Sequence, residues 1–515
     1  MEATSPRHPA AWRRDGFACL VRAEFTKFRT IRAWMITLYA AVVAFVLLSF
    51  ISAFASREGS PARPATGPGG EAVSDTYMLV RRALDGDGTL TAMVVSLSGK
   101  TTSVSTSGSA LGSSAKGALN TQLRPGLQPW AKAGIILEPD TNQGTVYAAM
   151  MVTGTHGVRM QYDYTHDRAG LAGPASPPSP RWLRLTRSGD AITGYDSADG
   201  TRWTEIGTAR LAGLPRTVQI GLFVTSPADA DSAAGVGVPS TATASFDHVC
   251  ARGDLPGRSW IPDVVAAPPY PYLTSAFNST RRSAAGFTVT GSGDIAPLVG
   301  NIISPAWSGA SIVNGTIVAL CIVIVLATLF ATAEYRRGLI RTTFTASPHR
   351  GRVLAAKALV AGSLAFAAGA IATTLAELIT RHVLAANGNY LFPQSGPDLA
   401  RVIIGTGLFL GLAAALAVAL GTILRRSAVA VAAGIVLLIV PGVLGAQSGN
   451  WLMRFTPTAA FAIQATLPRS SLVASTYTPP NGYFPVSPWA GLAVLAAYTA
   501  AALGAAAWLL RRRDA

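Results

Sequence analysis

Charge is scarce in this chain. Asp, Glu, Lys and Arg make up 13% of 515 residues, whereas half of the residues are apolar. Soluble domains carry about 25% charged residues, so lipid must cover part of this surface. Cysteine is rarer still. Of the three, Cys19 precedes the first apolar stretch, Cys321 lies inside another, and only Cys250 falls in polar sequence, which excludes an intrachain disulfide framework there. Acidic residues are outnumbered by basic ones, 26 to 42, for a formal charge of +16. Such an excess suits nucleic acid when it forms one surface. Here Lys and Arg cluster beside the ends of apolar stretches, which orients a chain in a bilayer, and no nucleic-acid partner is expected.

The apolar residues are concentrated in six stretches, 34–54, 311–332, 354–379, 402–424, 428–446 and 488–510, each read as a membrane span. Residues 57–297 contain no such run and read as a water-soluble domain. The first stretch is too long for a signal-peptide core, and Arg22, Lys27, Arg29 and Arg32 precede it, so an uncleaved span with a cytoplasmic amino terminus is expected. Arg336, Arg337, Arg341, Arg350 and Arg352 follow the second stretch, Arg425 and Arg426 the fourth, and Arg511 to Arg513 the sixth. All then face the cytoplasm, leaving 57–300, 381–401 and 447–487 outside. Residues 17–31 place Phe17, Leu20, Val21, Phe25, Phe28 and Ile31 near helical spacing, with Arg22 and Arg29 on another face. They suit either a helix lying on the inner membrane surface or a plain basic juxtamembrane helix.

The connection after the second span is patterned beyond its charge. It runs Glu334, Tyr335, Arg336, Arg337, Gly338, Leu339, Ile340, Arg341, Thr342, Thr343, Phe344, then Pro348, His349, Arg350, Gly351 and Arg352, and reaches Lys357 as the third span begins. This suits a short helix broken at Pro348, with Leu339, Ile340 and Phe344 as an apolar ridge. Binding of lipid headgroups explains the arginines but not the Gly, Pro and Phe pattern.

These residues resemble the corresponding loop in permease subunits of the ATP-binding-cassette type-2 group, particularly those of high-GC actinobacteria. The lead Ala23-Glu24-Phe25-Thr26-Lys27-Phe28-Arg29-Thr30-Ile31-Arg32-Ala33-Trp34 is similar to that group's approach to its first span. The resemblance implies a six-helix transmembrane domain with a coupling helix seated in a separate ATPase. The coupling residues would be Glu334, Tyr335, Arg336, Gly338, Ile340, Arg341, Thr342, Phe344, Pro348, Arg350, Arg352 and Lys357, and the interfacial helix would contribute Glu24, Lys27, Arg29 and Arg32. ATP and Mg would belong to the partner ATPase, with no cofactor in this chain. Two protomers, identical or different, would form an outward path. The only approach to a phosphate-binding loop is Ser98-Gly99-Lys100-Thr101-Thr102, which has Val94 where Gly is needed.

The expected order is therefore an amino-terminal helix (1–33), span 1 (34–54), an extracellular domain (57–300), span 2 (311–332), a coupling loop (333–353), span 3 (354–379), span 4 (402–424), span 5 (428–446), an extracellular loop with a re-entrant helix (447–487), span 6 (488–510) and a cytoplasmic tail (511–515). Within the soluble domain, residues 77–250 alternate short strand-like runs with turn signals such as Gly144, Gly157, Ser188-Gly189-Asp190 and Asp199-Gly200, which predicts an antiparallel all-β sandwich. A Pro-rich linker and a return strand follow at 251–300. The runs around Trp130, Trp182, Gly194 to Trp203, Gly221 to Val224 and Phe246 to Val249 resemble concanavalin A-like lectin/glucanase jelly rolls, a superfamily that includes glycan binders and glycosidases.

The site residues that such a fold suggests have simpler structural readings beside them. Trp130, Trp182 and Trp203 suit stacking on sugar rings or packing in a core. Asp196 and Asp199 suit a hairpin turn, and no cleft-spanning carboxylate pair is evident for glycoside hydrolysis. His156, Asp163, His166 and Asp167 do not match a zinc spacing, so no metal is expected. In the spans, Glu377 lies beside Arg381 and His382, and Pro441 predicts a kink. The expected role is a non-enzymatic permease subunit of an exporter in the cell membrane. The rival is a membrane-anchored sensor that binds a glycan through its jelly roll.

Overall fold

The computed structural model describes residues 16–57, 64–104, 121–229, 239–257, 259–266, 277–283, 286–298, 306–336, 349–445, 451–467, 470–473 and 483–512. They fall into two compact units: Met1–Ser60, Ala306–Leu467 and Tyr477–Ala515 in one, Pro61–Pro305 and Pro468–Thr476 in the other.

The first unit is helical. We label its helices α1 (Phe17–Thr30), α2 (Arg32–Phe54), α3 (Thr316–Arg336), α4 (Arg350–Ala386), α5 (Gly396–Leu424), α6 (Ser427–Leu438) and α7 (Pro488–Arg512). Five of them, α2, α3, α4, α5 and α7, are long and apolar enough to cross a bilayer. In α2 the buried positions Leu38, Ala41, Phe45, Ser49 and Ala53 form one stripe, while Ile36, Val43 and Leu47 are exposed, as expected of a helix with one face on protein and the other in lipid. Small residues let α4 and α5 approach closely: a Cβ on Gly411 would stand 2.9 Å from Gly362 O, and one on Gly407 2.9 Å from Phe366 O. Ser395 caps α5 by accepting from Asp398 N at 3.2 Å, and Arg425, at φ 55°, ends it.

The stretch expected as span 5 is not one continuous helix. It is helical over Ser427–Leu438 and again over Val440–Gly445, with the break at Ile439. Pro441 has no N–H to return to Leu437, which explains an interruption between Leu437 and the proline. The region expected to be re-entrant holds a buried 3-10 helix, Pro457–Gln464. Arg401 grips its carboxyl end by donating to Ile463 O at 3.0 Å and Ala465 O at 2.7 Å, with Asp398 3.0 Å away as its counter-charge. Gln464 donates to Thr316 Oγ1 of α3 at 2.8 Å.

The second unit is a β-sandwich. The main path of its 14-stranded sheet runs, by residue range, Thr204–Arg210, Ala191–Ser197, Arg181–Ser188, Tyr77–Val104, Thr217–Thr225, Lys132–Glu138, Ala148–Thr153, Val158–Tyr162 and His166–Ala169. The strands Thr121–Pro125, Ser240–Asp254, Ile261–Val265, Ser279–Arg282 and Gly286–Gly291 pair beside that path, and the pairings are antiparallel. The 28-residue strand Tyr77–Val104 belongs to both layers. Its first part pairs with Thr217–Thr225 and its later part with Arg181–Ser188, the change falling near Gly86 and Gly88. Alternate residues such as Leu90, Ala92, Val94, Leu183, Leu185, Ile135, Leu137, Ile220 and Leu222 fill the core between the layers.

A smaller apolar cluster covers the opposite face of the second layer, with Tyr77, Leu79, Tyr147, Tyr164 and Phe223 beneath Val73 and Ile295. There the strand Ala72–Asp75, near the start of the unit, pairs antiparallel with Ile295–Pro297, near its end. Lys132, whose side chain is fully buried, holds this return segment through Asp294 Oδ1 at 2.7 Å and a hydrogen bond to Ile295 O. Asp75 accepts from Gly144 N at 2.9 Å and Tyr164 OH at 2.8 Å.

Candidate functional site

The amphipathic pattern of residues 17–31 becomes α1, which buries Glu24 and Phe28 and exposes Arg22, Phe25, Arg29 and, beyond its end, Arg32. Its buried face meets the end of α3 and the start of α4. Glu24 and Lys27 on α1, Glu334 on α3 and Lys357 on α4 close into a ring of alternating charge. Lys27 Nζ lies 2.7 Å from Glu24 Oε1 and 3.0 Å from Glu334 Oε1. Lys357 Nζ lies 3.0 Å from Glu24 Oε2 and 3.0 Å from Glu334 Oε1. Three of the four side chains are almost fully buried, and only Lys27 reaches solvent.

Burying these charges is costly unless each finds a partner in good geometry. The alternation supplies one on each side, and charge-assisted hydrogen bonds make the contacts short. Burial pulls the Lys27 ammonium down, but its hydrogen bond to Glu24 and the charges of Glu24 and Glu334 outweigh this and hold it above the usual lysine range. An aromatic floor lies under the ring: Lys357 Nζ is 4.4 Å from the Phe330 centroid, and Phe330 meets Phe28 at 5.4 Å and Trp34 at 5.1 Å, both edge to face.

Beside the ring is a small, solvent-open cavity lined by Glu334, Tyr335, Arg350, Leu354, Lys357 and Thr422, among others. Arg350 donates to Leu510 O at 2.8 Å, and the Arg425 guanidinium lies 5.5 Å from the Tyr335 ring. The ends of α3, α4, α5 and α7 that carry the basic residues therefore meet at one end of the helical unit, together with α1.

Two groups of residues read separately from the sequence are thus brought together. Glu24 and Lys27 were expected on an interfacial helix, Glu334 and Lys357 at the borders of a loop, and the structure makes them one cluster. Glu334, Tyr335 and Arg336 form the last turn of α3, and Arg350, Arg352 and Lys357 belong to α4, so the connection between the helices is shorter than expected. Gly338, Ile340, Arg341, Thr342, Phe344 and Pro348 lie outside the described residues. Arg29, Arg32 and Arg352 are exposed and take no part in the ring. The sequence reading missed the buried Lys132 and the grip of Arg401. A lysine in the strongly apolar run after Trp130, and an arginine at the start of a span, were the available signals.

In the sandwich, Trp130 is buried, 3% exposed, with the His156 ring stacked 4.0 Å away, which removes it from the candidate glycan contacts. Trp182 and Trp203 remain half-buried at the surface. Asp199 caps its turn by accepting from Thr201 N at 2.8 Å and Arg202 N at 2.9 Å, while Asp196 accepts from Leu171 N at 2.6 Å. Asp167 pairs with Arg159. Among the described residues no group of three His, Cys, Asp or Glu side chains is placed to hold a metal ion.

A protein family described as "ABC-2 family transporter protein" matches residues 20–515. No curated protein matches the chain. Among solved structures, one of scytalido-glutamic peptidase with a transition state analog inhibitor covers 43% of this chain and 99% of its own, at 11% identity and a TM-score of 0.26. A second, of the same peptidase with a peptide based transition state analog, covers 42% and 98% at 10% identity and 0.21. A functionally unknown protein from Saccharomyces cerevisiae covers 38% and 85% at 13% identity and 0.20. Likeness at this level bears on neither activity nor ligand.

Proposed function

The chain belongs to the ABC-2 transporter family, and is thus a multi-pass permease component that works with an ATPase subunit; from that premise we propose that it moves its substrate outward and that the charge ring couples it to the ATPase. The observation that carries the coupling is the position of the ring. Glu334 stands at the last turn before residues 337–348 and Lys357 in the second turn after them, and both are tied to α1. A force applied to that connection by an ATPase reaches α3, α4 and α1 together, because alternating buried charges resist separation. The spans then move as a set rather than one at a time.

In this reading both termini and the basic helix ends face the cytoplasm, residues 57–300 are extracellular, and two permease protomers, identical or different, enclose the path. Lipid covers the exposed apolar faces of α2, α4 and α7. ATP and Mg are held by the partner, and this chain supplies no catalytic group.

The test is purification of the chain from its own host, with ATP hydrolysis measured in the isolated complex. An ATPase should co-purify. Lys357→Met or Glu334→Gln should uncouple transport from hydrolysis, or lower transport-stimulated hydrolysis, by about tenfold or more, since each side chain makes two charge-assisted contacts in the ring. A chain that purifies without an ATP-hydrolysing subunit would sink the proposal.

A further inference from the structure

On the outward side of one sandwich layer, the strands Ala191–Ser197, Arg181–Ser188, the later part of Tyr77–Val104 and Ser240–Asp254 lie side by side. Their register sets Tyr195 opposite Arg184, Arg184 opposite Thr91, and Arg252 opposite Thr89. Leu90, Ala92, Leu183 and Leu185 point into the core, so alternation turns Thr91 and Arg184 outward. Arg184 is held on two sides. Its Nε donates to Thr91 Oγ1 at 3.2 Å, and its guanidinium carbon lies 3.7 Å from the centroid of the Trp203 ring.

Trp203 is fixed in turn, its Nε1 donating to Gly200 O at 3.2 Å. Gly200 has φ +74° and leaves only 2.7 Å between an added Cβ and the Trp182 indole. Both the turn and the position of Trp182 therefore require glycine there.

The arginines of this face stand outside its ion pairs. Among the described residues, ion pairs of the sandwich join Arg81 to Asp263, Lys132 to Asp294, Arg159 to Asp167, Arg202 to Asp199 and, when its ring is protonated, His248 to Asp247, and neither Arg184 nor Arg252 is in any of them. Burial, and then the like charge of Arg252, pull the Arg184 guanidinium below its usual range. Two guanidinium groups that repel each other, on rigid strands and in no ion pair among the described residues, gain by taking up an anion. The flanking rings of Trp182, Tyr195 and Trp203 offer apolar faces with polar edges, the surface a sugar ring packs against.

We propose that this face binds a carboxylate-bearing polysaccharide, with sugar carboxylates on Arg184 and Arg252 and sugar rings against Trp182, Tyr195 and Trp203. Guanidinium receives a carboxylate through two parallel N–H donors, which gives direction as well as charge. The assignment does not depend on the permease reading.

The experiment uses the full chain in detergent, titrated calorimetrically with oligouronate, neutral dextran oligomers, polyglutamate and a glycerol-phosphate polymer. Oligouronate should bind, more weakly as salt rises, and dextran should not. Arg184→Gln and Arg252→Gln should each weaken binding about tenfold or more, as expected for loss of a charge-assisted contact. Arg124→Gln, at an exposed arginine elsewhere on the sandwich, should change it less than about twofold. Absence of oligouronate binding, or binding unchanged by both substitutions in a chain with native thermal unfolding, overturns the proposal. Preference for polyglutamate reassigns the face to an acidic peptide, and preference for the phosphate polymer to a phosphate ligand; either overturns it as well.

Discussion

Lys357 sets its ammonium 3.0 Å from Glu24 Oε2, joining two residues 333 positions apart. One is in the second turn of α4 and the other on the buried face of α1, so this contact, with those of Lys27 to Glu334 and Phe28 to Phe330, holds α1 against the span bundle. The same lysine also meets Glu334 Oε1 at 3.0 Å. Removing it would leave two buried carboxylates sharing Lys27 alone.

Lys357→Met should therefore destabilise the helical unit by about 3–5 kcal/mol, the cost of stranding a buried charge. Adding Glu24→Gln should recover part of the loss, since the stranded carboxylate is then gone. Denaturant unfolding in detergent, arranged as a double-mutant cycle, measures this. Purely additive effects would show that the two side chains do not act on each other.

Lys132→Met applies the same logic to the sandwich. Asp294 would lose the fully buried ammonium 2.7 Å away, and Ile295 O would lose its donor. A loss of about 3–5 kcal/mol is expected. Hydrogen exchange should rise first in Ile295–Pro297 and its partner Ala72–Asp75, and uniform exchange across the sandwich would argue against a local role.

The Glu138 carboxyl is pushed up to about 8, chiefly by burial, against the opposing hydrogen bond from Tyr77 and with further increases from Asp75 and Asp140. Asp75 is likewise raised, to about 6, by burial. Folded protein then holds protons that the unfolded chain releases above about 4.5. The stabilisation is complete below that pH and is lost as pH rises through 8. Thermal unfolding of the sandwich should fall in temperature between pH 6 and 8, and Glu138→Gln should flatten that slope. An unchanged slope in the variant would assign the dependence to other groups.

Arg401→Met should free the carboxyl end of the helix Pro457–Gln464, because Ile463 O and Ala465 O each lose a donor. Exchange at residues 463–466 should rise about tenfold or more, corresponding to one or two lost charged hydrogen bonds. The exchange of α3 should stay unchanged, and a rise there of equal size would mean that the bundle as a whole had loosened.

The spans and the alternating strands were legible because solvent acts on them directly: continuous apolar runs for lipid, period-two alternation for a sheet wet on one side. The break at Ile439 was foreshadowed by Pro441, although its place, between the proline and the Leu437 carbonyl that loses its partner, depends on the hydrogen-bond ladder. The charge ring was legible only in pieces. Glu24, Lys27, Glu334 and Lys357 were each noted, but their meeting depends on how three helices pack, which local periodicity does not encode. Trp130 suited either a sugar platform or the core, and its burial against the His156 ring, which no local pattern encodes, decides for the core.

The pairing of Asp75 with Ile295 bears on how this protein can be taken apart. Opposite residues of an antiparallel pair lie about 5 Å apart, so the sandwich begins and ends at one spot. A short turn spliced across that gap would excise more than 200 residues without stretching what remains, roughly the reach of one or two peptide units. The sandwich is in this sense a cassette, and chains that carry it, lack it or exchange it for another would share the same helical framework.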